Sequence, residues 1–189
     1  PFALASGQHQ LGHKNNEAAI EITYGYFSAI SSHDCQLVIT GAPCELRIGS
    51  DKSPSDAIHT VSAGQQIFIS PSYKGVYSYL HISGGIDTPV VFNSRSTSPR
   101  EGIGGYHGRL LKTRDRITLG SPSHSAVRPN PNLTIAEPSE ILILRFIPGF
   151  QYESSSHCAR VALVSETFRV SANSNRMGIV LSGKPLDTR

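Results

Sequence analysis

The sequence has no Trp, a single Met and three Cys among its 189 residues. The absent C-x-x-C excludes a zinc knuckle or a thioredoxin-type redox pair. An odd number of cysteines, Cys35, Cys44 and Cys158, cannot pair completely, which predicts reduced, structural thiols of the kind cytosolic proteins carry. No window holds the roughly eighteen consecutive apolar residues of a membrane-spanning helix. Charge of one sign is scarce as well: Lys and Arg exceed Asp and Glu by only three, and evenly, which argues against nucleic acid as a partner. The chain opens on Pro1, with no charged-then-apolar leader behind it. A Walker lysine, a G-x-S-x-G elbow and an H-E-x-x-H helix are all missing. Glu101–Arg109 approaches G-x-G-x-x-G but places His107 where the last glycine belongs, and no strand-then-helix frame surrounds it. The eight histidines scatter. His9 and His13 have i, i+4 spacing but no third ligand nearby, so no metal is expected.

What is present is turn chemistry. Seventeen Gly and twelve Pro favour a mainly β chain with few short helices. Residues 1–13 predict a short helix ending at Gly12. Strands are expected over Ala19–Tyr24, Gln36–Thr40, Glu45–Ile48, Ala57–Val61, Gln66–Ser70, Val76–Ile82, Val90–Phe92, Arg116–Leu119 and Ile141–Ile147. Ile141–Ile147 is apolar on both faces and is expected in a central position. Along Val76–Ile82, Val76, Ser78, Leu80 and Ile82 form one face, the core. Tyr77, Tyr79 and His81 form the other, suited to a wet groove, a contact between subunits or a barrel lining. The proline-rich stretch 121–139 reads as a connection between a β unit over 1–120 and the start of a second over 140–189.

The densest stretch is Ser78–Gly120. Gly84 and Gly85 make a turn, Ser94, Arg95, Ser96 and Thr97 follow, and Gly102, Gly104, Gly105 and Gly108 lead to Arg109. Glycines at this density mark backbone that turns sharply or approaches something closely. Arginine forks suit a carboxylate, and they equally suit loop carbonyls.

In these segments the chain resembles the family of the C-type 5-oxoprolinase subunit, the allophanate hydrolase subunit 2 and the Kip-type antagonist, which is similar to one half of the urea carboxylase carboxyltransferase domain. Tyr79–Pro89 resembles its YLAVAGGIDVP pattern, Asn93–Thr97 its GSRST, Gly104–Leu111 its GG-x-x-GR-x-L and Arg114–Gly120 its GD-x-L-x-LG. Leu144–Gln151 and Val170–Leu181 resemble its PG-x-Q turn and S-x-R-M-G element; Leu11–Gly25 and Ile39–Ala42 match upstream. Asn93, Asn175 and Val180 depart from the family's glycine, aspartate and arginine, and family segments expected at either end have no counterpart, as if the chain were truncated.

The resemblance implies a cyclophilin-like β-barrel and a cytoplasmic member of an ATP-dependent 5-oxoprolinase complex, opening 5-oxoproline to glutamate. Its partners would be a Kip-I-like B-type subunit and a LamB/YcsF-like A-type subunit. No cofactor is expected on this chain. ATP would enter through a partner, and biotin in the alternative, a carboxyltransferase component; a third reading is a non-catalytic regulator that binds a Kip-I-type kinase inhibitor. The substrate-binding set expected is Arg95, Ser96, Thr97, Arg109 and Arg176, converging through turns at Gly84, Gly85, Gly104, Gly105, Gly108 and Gly178. No catalytic group is assigned.

Overall fold

The computed structural model describes residues 2–13, 17–121, 143–174 and 178–186. The chain divides into two compact units, Pro1–Glu137 and Pro138–Arg189.

The first unit opens with helix α1 (Phe2–Gln10), which stops where Gly12 takes a left-handed φ of 68°. Eight strands follow: β1 (Ile20–Thr23), β2 (Phe27–Ile30), β3 (Cys35–Gly41), β4 (Leu46–Ile48), β5 (Asp51–Ser53), β6 (His59–Val61), β7 (Gln66–Ile69) and β8 (Tyr77–Ile82). They form two four-stranded antiparallel sheets, ordered β1-β8-β3-β6 and β2-β7-β4-β5. The mainly β expectation holds; the described strands make two open sheets, not one closed ring.

Register follows side-chain alternation. Leu37 opposes Ile82 and Ile39 opposes Leu80 in one sheet, while Leu46 opposes Ile69 and Ile48 opposes Ile67 in the other. All eight point into one apolar cluster shared by both sheets. Each fully buried Leu or Ile there contributes roughly 1.5–3 kcal/mol.

The outer face of β3 and β8 is not wet. Tyr79 and His81 are buried, with His81 wholly inaccessible, because α1 lies across β3 and β8. A β-carbon on Gly7 would stand 2.1 Å from the His81 ring, so only glycine lets the helix settle. The groove or intersubunit contact expected at Tyr77, Tyr79 and His81 is therefore corrected: the chain's own first helix covers Tyr79 and His81, and Tyr77 is half-buried.

Two other expected strands reduce to single bridges, Val91 with Ser94 and Leu119 with Ile86. Strands β2 and β5 were not legible as runs. Each is short and half exposed, and becomes a strand by pairing with β7 or β4.

The second unit contains a 3₁₀ turn (Phe150–Tyr152), helix α2 (His157–Ser165) and the antiparallel pair β9 (Arg169–Val170) and β10 (Leu181–Ser182). Ser156 caps α2, its Oγ accepting from the Ala159 N–H at 3.1 Å. The expected central strand Ile141–Ile147 is a further correction. Its described part, from Ile143, has no regular secondary structure and pairs with no strand among the described residues, and Ile143, Leu144, Phe146 and Ile147 are exposed. Apolar content without a neighbouring strand leaves both faces in solvent. The three cysteines are free thiols, Cys44 buried and Cys158 exposed.

Candidate functional site

Beyond β8 the chain turns at Gly84 and Gly85, with Gly85 N–H donating to the Ile82 carbonyl at 2.8 Å. Ile86 then bridges both Ala18 and Leu119, which ties this turn to the end of the glycine-rich segment. Gly120 N–H closes the tie by donating to the Gly85 carbonyl at 3.0 Å. The expected turn residues Gly84 and Gly85 thus anchor a long excursion, residues 87–119, at one place on the core.

Inside that excursion, Val91 and Ser94 exchange backbone bonds of 2.8 and 3.0 Å. Phe92 and Asn93 between them both take left-handed φ angles, 50° and 59°. This is a two-residue hairpin of the type that wants positive φ at both central positions. Asn93 meets that need with the side chain most tolerant of the left-handed region after glycine. The hairpin turns the chain back so that the Arg95 guanidinium donates through Nη1 to the Thr88 carbonyl. Ser96 N–H donates to Ser94 Oγ at 3.1 Å.

A second turn brings Gly104 and Gly105 against Ser96 and Thr97. A β-carbon at Gly105 would lie 1.7 Å from Thr97 Oγ1, and its φ of +49° is left-handed too. Gly104 likewise lies against the Ser96 carbonyl and Gly108 against that of Gly102. The loop then ends in a clamp. Arg109 donates through Nη1 and Nη2 to the two oxygens of Asp115 at 2.7 and 2.8 Å, and its guanidinium stacks 5.1 Å from the Tyr106 ring centre. Lys112 N–H adds a third donor to Asp115 at 2.7 Å. With the Arg109 fork and that N–H on its oxygens, the Asp115 carboxyl is held down to about 2.

Arg95, Ser96, Thr97 and Arg109 therefore share one loop system, but not one chemical role. The carboxylate that the Arg109 fork takes belongs to the chain itself, and Arg95 holds a loop carbonyl. The alternative reading of these arginines, as ties for the loop, describes the contacts they make. Arg95 is half-buried and uses one guanidinium nitrogen in its hydrogen bond to Thr88. Ser96 and Thr97 are exposed. Arg176 lies outside the described residues, and Gly178 belongs to the second unit with open space where a β-carbon would stand.

Sequence reasoning passed over Thr88. Its carbonyl receives Arg95, while its buried Oγ1 has no hydrogen-bond partner among the described residues. A buried hydroxyl without a partner is costly and suits a position where something else donates or accepts. The available signal was a threonine where the resembled pattern carries valine. An open cavity of about 650 Å³ lies elsewhere in the first unit, lined by Cys44, Glu45, Lys52, Pro71 and Tyr73 among others, and touches none of these residues. Among the described residues no cluster of three metal-ligating side chains occurs, and no helix is long and apolar enough to cross a membrane.

Comparison with known proteins places this architecture. The family model described as "Carboxyltransferase domain, subdomain A and B" matches residues 1–189. The chain is 32% identical to the C-type 5-oxoprolinase subunit of Escherichia coli over 184 residues, which is 97% of this chain and 58% of that protein. It is 30% identical to the urea amidolyase of Saccharomyces cerevisiae over 92% of this chain and 10% of that one. The Kluyveromyces lactis urea carboxylase structure shares the fold, with a TM-score of 0.72 at 22% identity, over all of this chain and 18% of that one. The chain thus spans about six tenths of the length of the E. coli protein.

Proposed function

The chain belongs to the carboxyltransferase-domain family, subdomains A and B, and from that membership we propose that it acts within the C-type subunit of an ATP-dependent 5-oxoprolinase complex, which hydrolyses 5-oxoproline to glutamate. One observation carries the reading: 32% identity to a C-type 5-oxoprolinase subunit along 97% of this chain. Opening the lactam places water across the C–N bond of an amide that resonance protects, so the reaction needs an activated carbonyl. The absent phosphate-binding loop supports a scheme in which Kip-I-like B-type and LamB/YcsF-like A-type subunits supply the ATP chemistry in the cytoplasm.

This chain's part is recognition. The remaining donors of Arg95, the hydroxyls of Ser96 and Thr97 and the unpartnered Thr88 Oγ1 offer groups suited to the substrate carboxylate or to an oxyanion. No cofactor is assigned to the chain itself. Arg176, outside the described residues, is retained by itself as a substrate-binding candidate, and Arg109 as the residue that keeps the loop in shape.

A second reading has its own support in the match to urea amidolyase. There, the same loop system would receive a carboxylated biotin delivered by another domain. Reconstitution of the full-length protein with its A- and B-type partners distinguishes the two. 5-Oxoproline-dependent ATP hydrolysis with glutamate release, lost when this chain is left out, is the expected result. Carboxyl transfer from carboxybiotin to urea, with no response to 5-oxoproline, would replace the first reading by the second.

A further inference from the structure

Two imidazoles meet beneath helix α1, and their tautomers follow from their partners. Thr40 Oγ1 donates its one proton to the Ala3 carbonyl at 2.7 Å. It must therefore accept from His81 Nε2, 3.3 Å away, which places the His81 proton on Nε2. His13 Nε2 lies 3.2 Å from the Ile82 carbonyl, which can only accept, so His13 carries its proton on Nε2 as well. Both Nδ1 atoms are then bare lone pairs, buried, with no partner among the described residues. The ring centres are 6.5 Å apart.

We propose that His13 and His81 form an acid-operated clasp on α1: the helix stays docked while both rings are neutral, and proton uptake by the pair releases it from β3 and β8 with the two-sheet core intact. A proton on His81 Nδ1 would make a buried N–H with nothing to accept it and a cation beside a second imidazole. Gly7 packs against the Cδ2–Nε2 edge of the ring and the side chain is wholly inaccessible, so water reaches that charge only if the helix moves.

The surrounding groups offer little relief. The α1 helix presents Gly7 and the Ala3 carbonyl, and β3 presents Thr40. On β8, the Tyr79 ring stands 6.4 Å from His81. Glu21 of β1, opposite Tyr79 in register, shares its outer face but is exposed. Glu17 and the Ile82 carbonyl act the other way, favouring the charged form of His13, and burial outweighs them there. Burial first, and His13 second, push His81 down to about 4.

The sign follows. A released His81 titrates near its ordinary 6.5 and the docked one near 4, so the released state binds more protons throughout that interval. Docking weakens by about tenfold for each pH unit on the way down.

Residue-resolved hydrogen exchange on the full-length protein tests this, from above pH 6.5 to near pH 4. After correction for intrinsic rates, protection in α1 should fall by about tenfold per pH unit while β4 and β7 keep theirs. The variant His13→Gln with His81→Phe, which cannot titrate, should hold α1 protection constant. Flat α1 protection in the wild-type chain, or an equal slope in the double variant, overturns the clasp. Should the double variant not fold, imidazole nitrogen shifts of the wild-type chain decide: two neutral Nε2–H rings at pH 6.5 uphold it. A charged or Nδ1–H ring in the docked chain overturns it.

Discussion

Arg109 and Asp115 form a two-point fork, 2.7 and 2.8 Å, across a turn of five intervening residues. The pair shuts the glycine-rich excursion where it returns to the core, and the Lys112 N–H locks the same carboxylate from below. The planar guanidinium matters more than its charge, because a lysine reaches one oxygen and cannot lie flat on Tyr106.

Replacing Arg109 with Lys should therefore leave the two sheets folded while the 104–115 loop gains hydrogen exchange and protease sensitivity. The pH arm has a fixed sign. Asp115, held down to about 2 from an ordinary 3.8, supports the loop fully above 3.8 and loses that support as pH falls through about 2. Loop protection should persist at pH 3.8 in the wild type and be absent at every pH in Asp115→Asn.

Arg95→Lys separates binding from architecture. Loss of the fork should weaken substrate binding or turnover of the reconstituted complex by about 1–3 kcal/mol, with the melting temperature within a few degrees of wild type. A lowered melting temperature with unchanged activity per folded molecule would confine Arg95 to holding the Thr88 carbonyl. Thr88→Val removes the buried unpartnered hydroxyl and keeps that carbonyl. Because a buried hydroxyl without a partner costs stability, denaturation should show the variant as stable as the parent or more so; reduced substrate affinity at that stability places Thr88 in the site, and unchanged affinity removes it.

Gly105→Ala forces a β-carbon onto Thr97 Oγ1 at a left-handed φ. Chemical denaturation should report a loss of about 1–3 kcal/mol or more. Thr97→Ser should not rescue it, because the Thr97 β-carbon itself would be only 2.8 Å away.

In the second unit, Ser156→Ala removes the acceptor for the Ala159 N–H. Helix α2 should lose about 1 kcal/mol, seen as roughly fivefold faster exchange in its first turn.

Much of the first unit was legible in the residues. The β-type run Gln36–Thr40 and the alternation of Val76–Ile82 located β3 and β8, and Gly12 marked the end of α1. What alternation cannot say is what covers the second face of a strand. Tyr79 and His81 read as amphipathic and turned out buried, because the cover comes from residues more than seventy positions earlier. The run from Ile143 failed for the converse reason: apolar residues predict burial only where a partner strand exists. Helix α2 was overlooked although Ser156 before His157–Ser165 is a fair capping signal. At the loop, the glycines and arginines stood out by type. Which arginine is already satisfied depends on Asp115, whose fork cannot be read from spacing alone.

The contact between Gly7 and His81 also constrains how this protein can change over generations. Helix and strand meet with no slack, so residue 7 and residue 81 form a joint choice, a glycine with a ring. A lineage that trims the ring to valine opens the space for alanine at 7, whereas alanine arriving first meets a closed door. Order of substitution, and not just identity, decides which of these paths is passable.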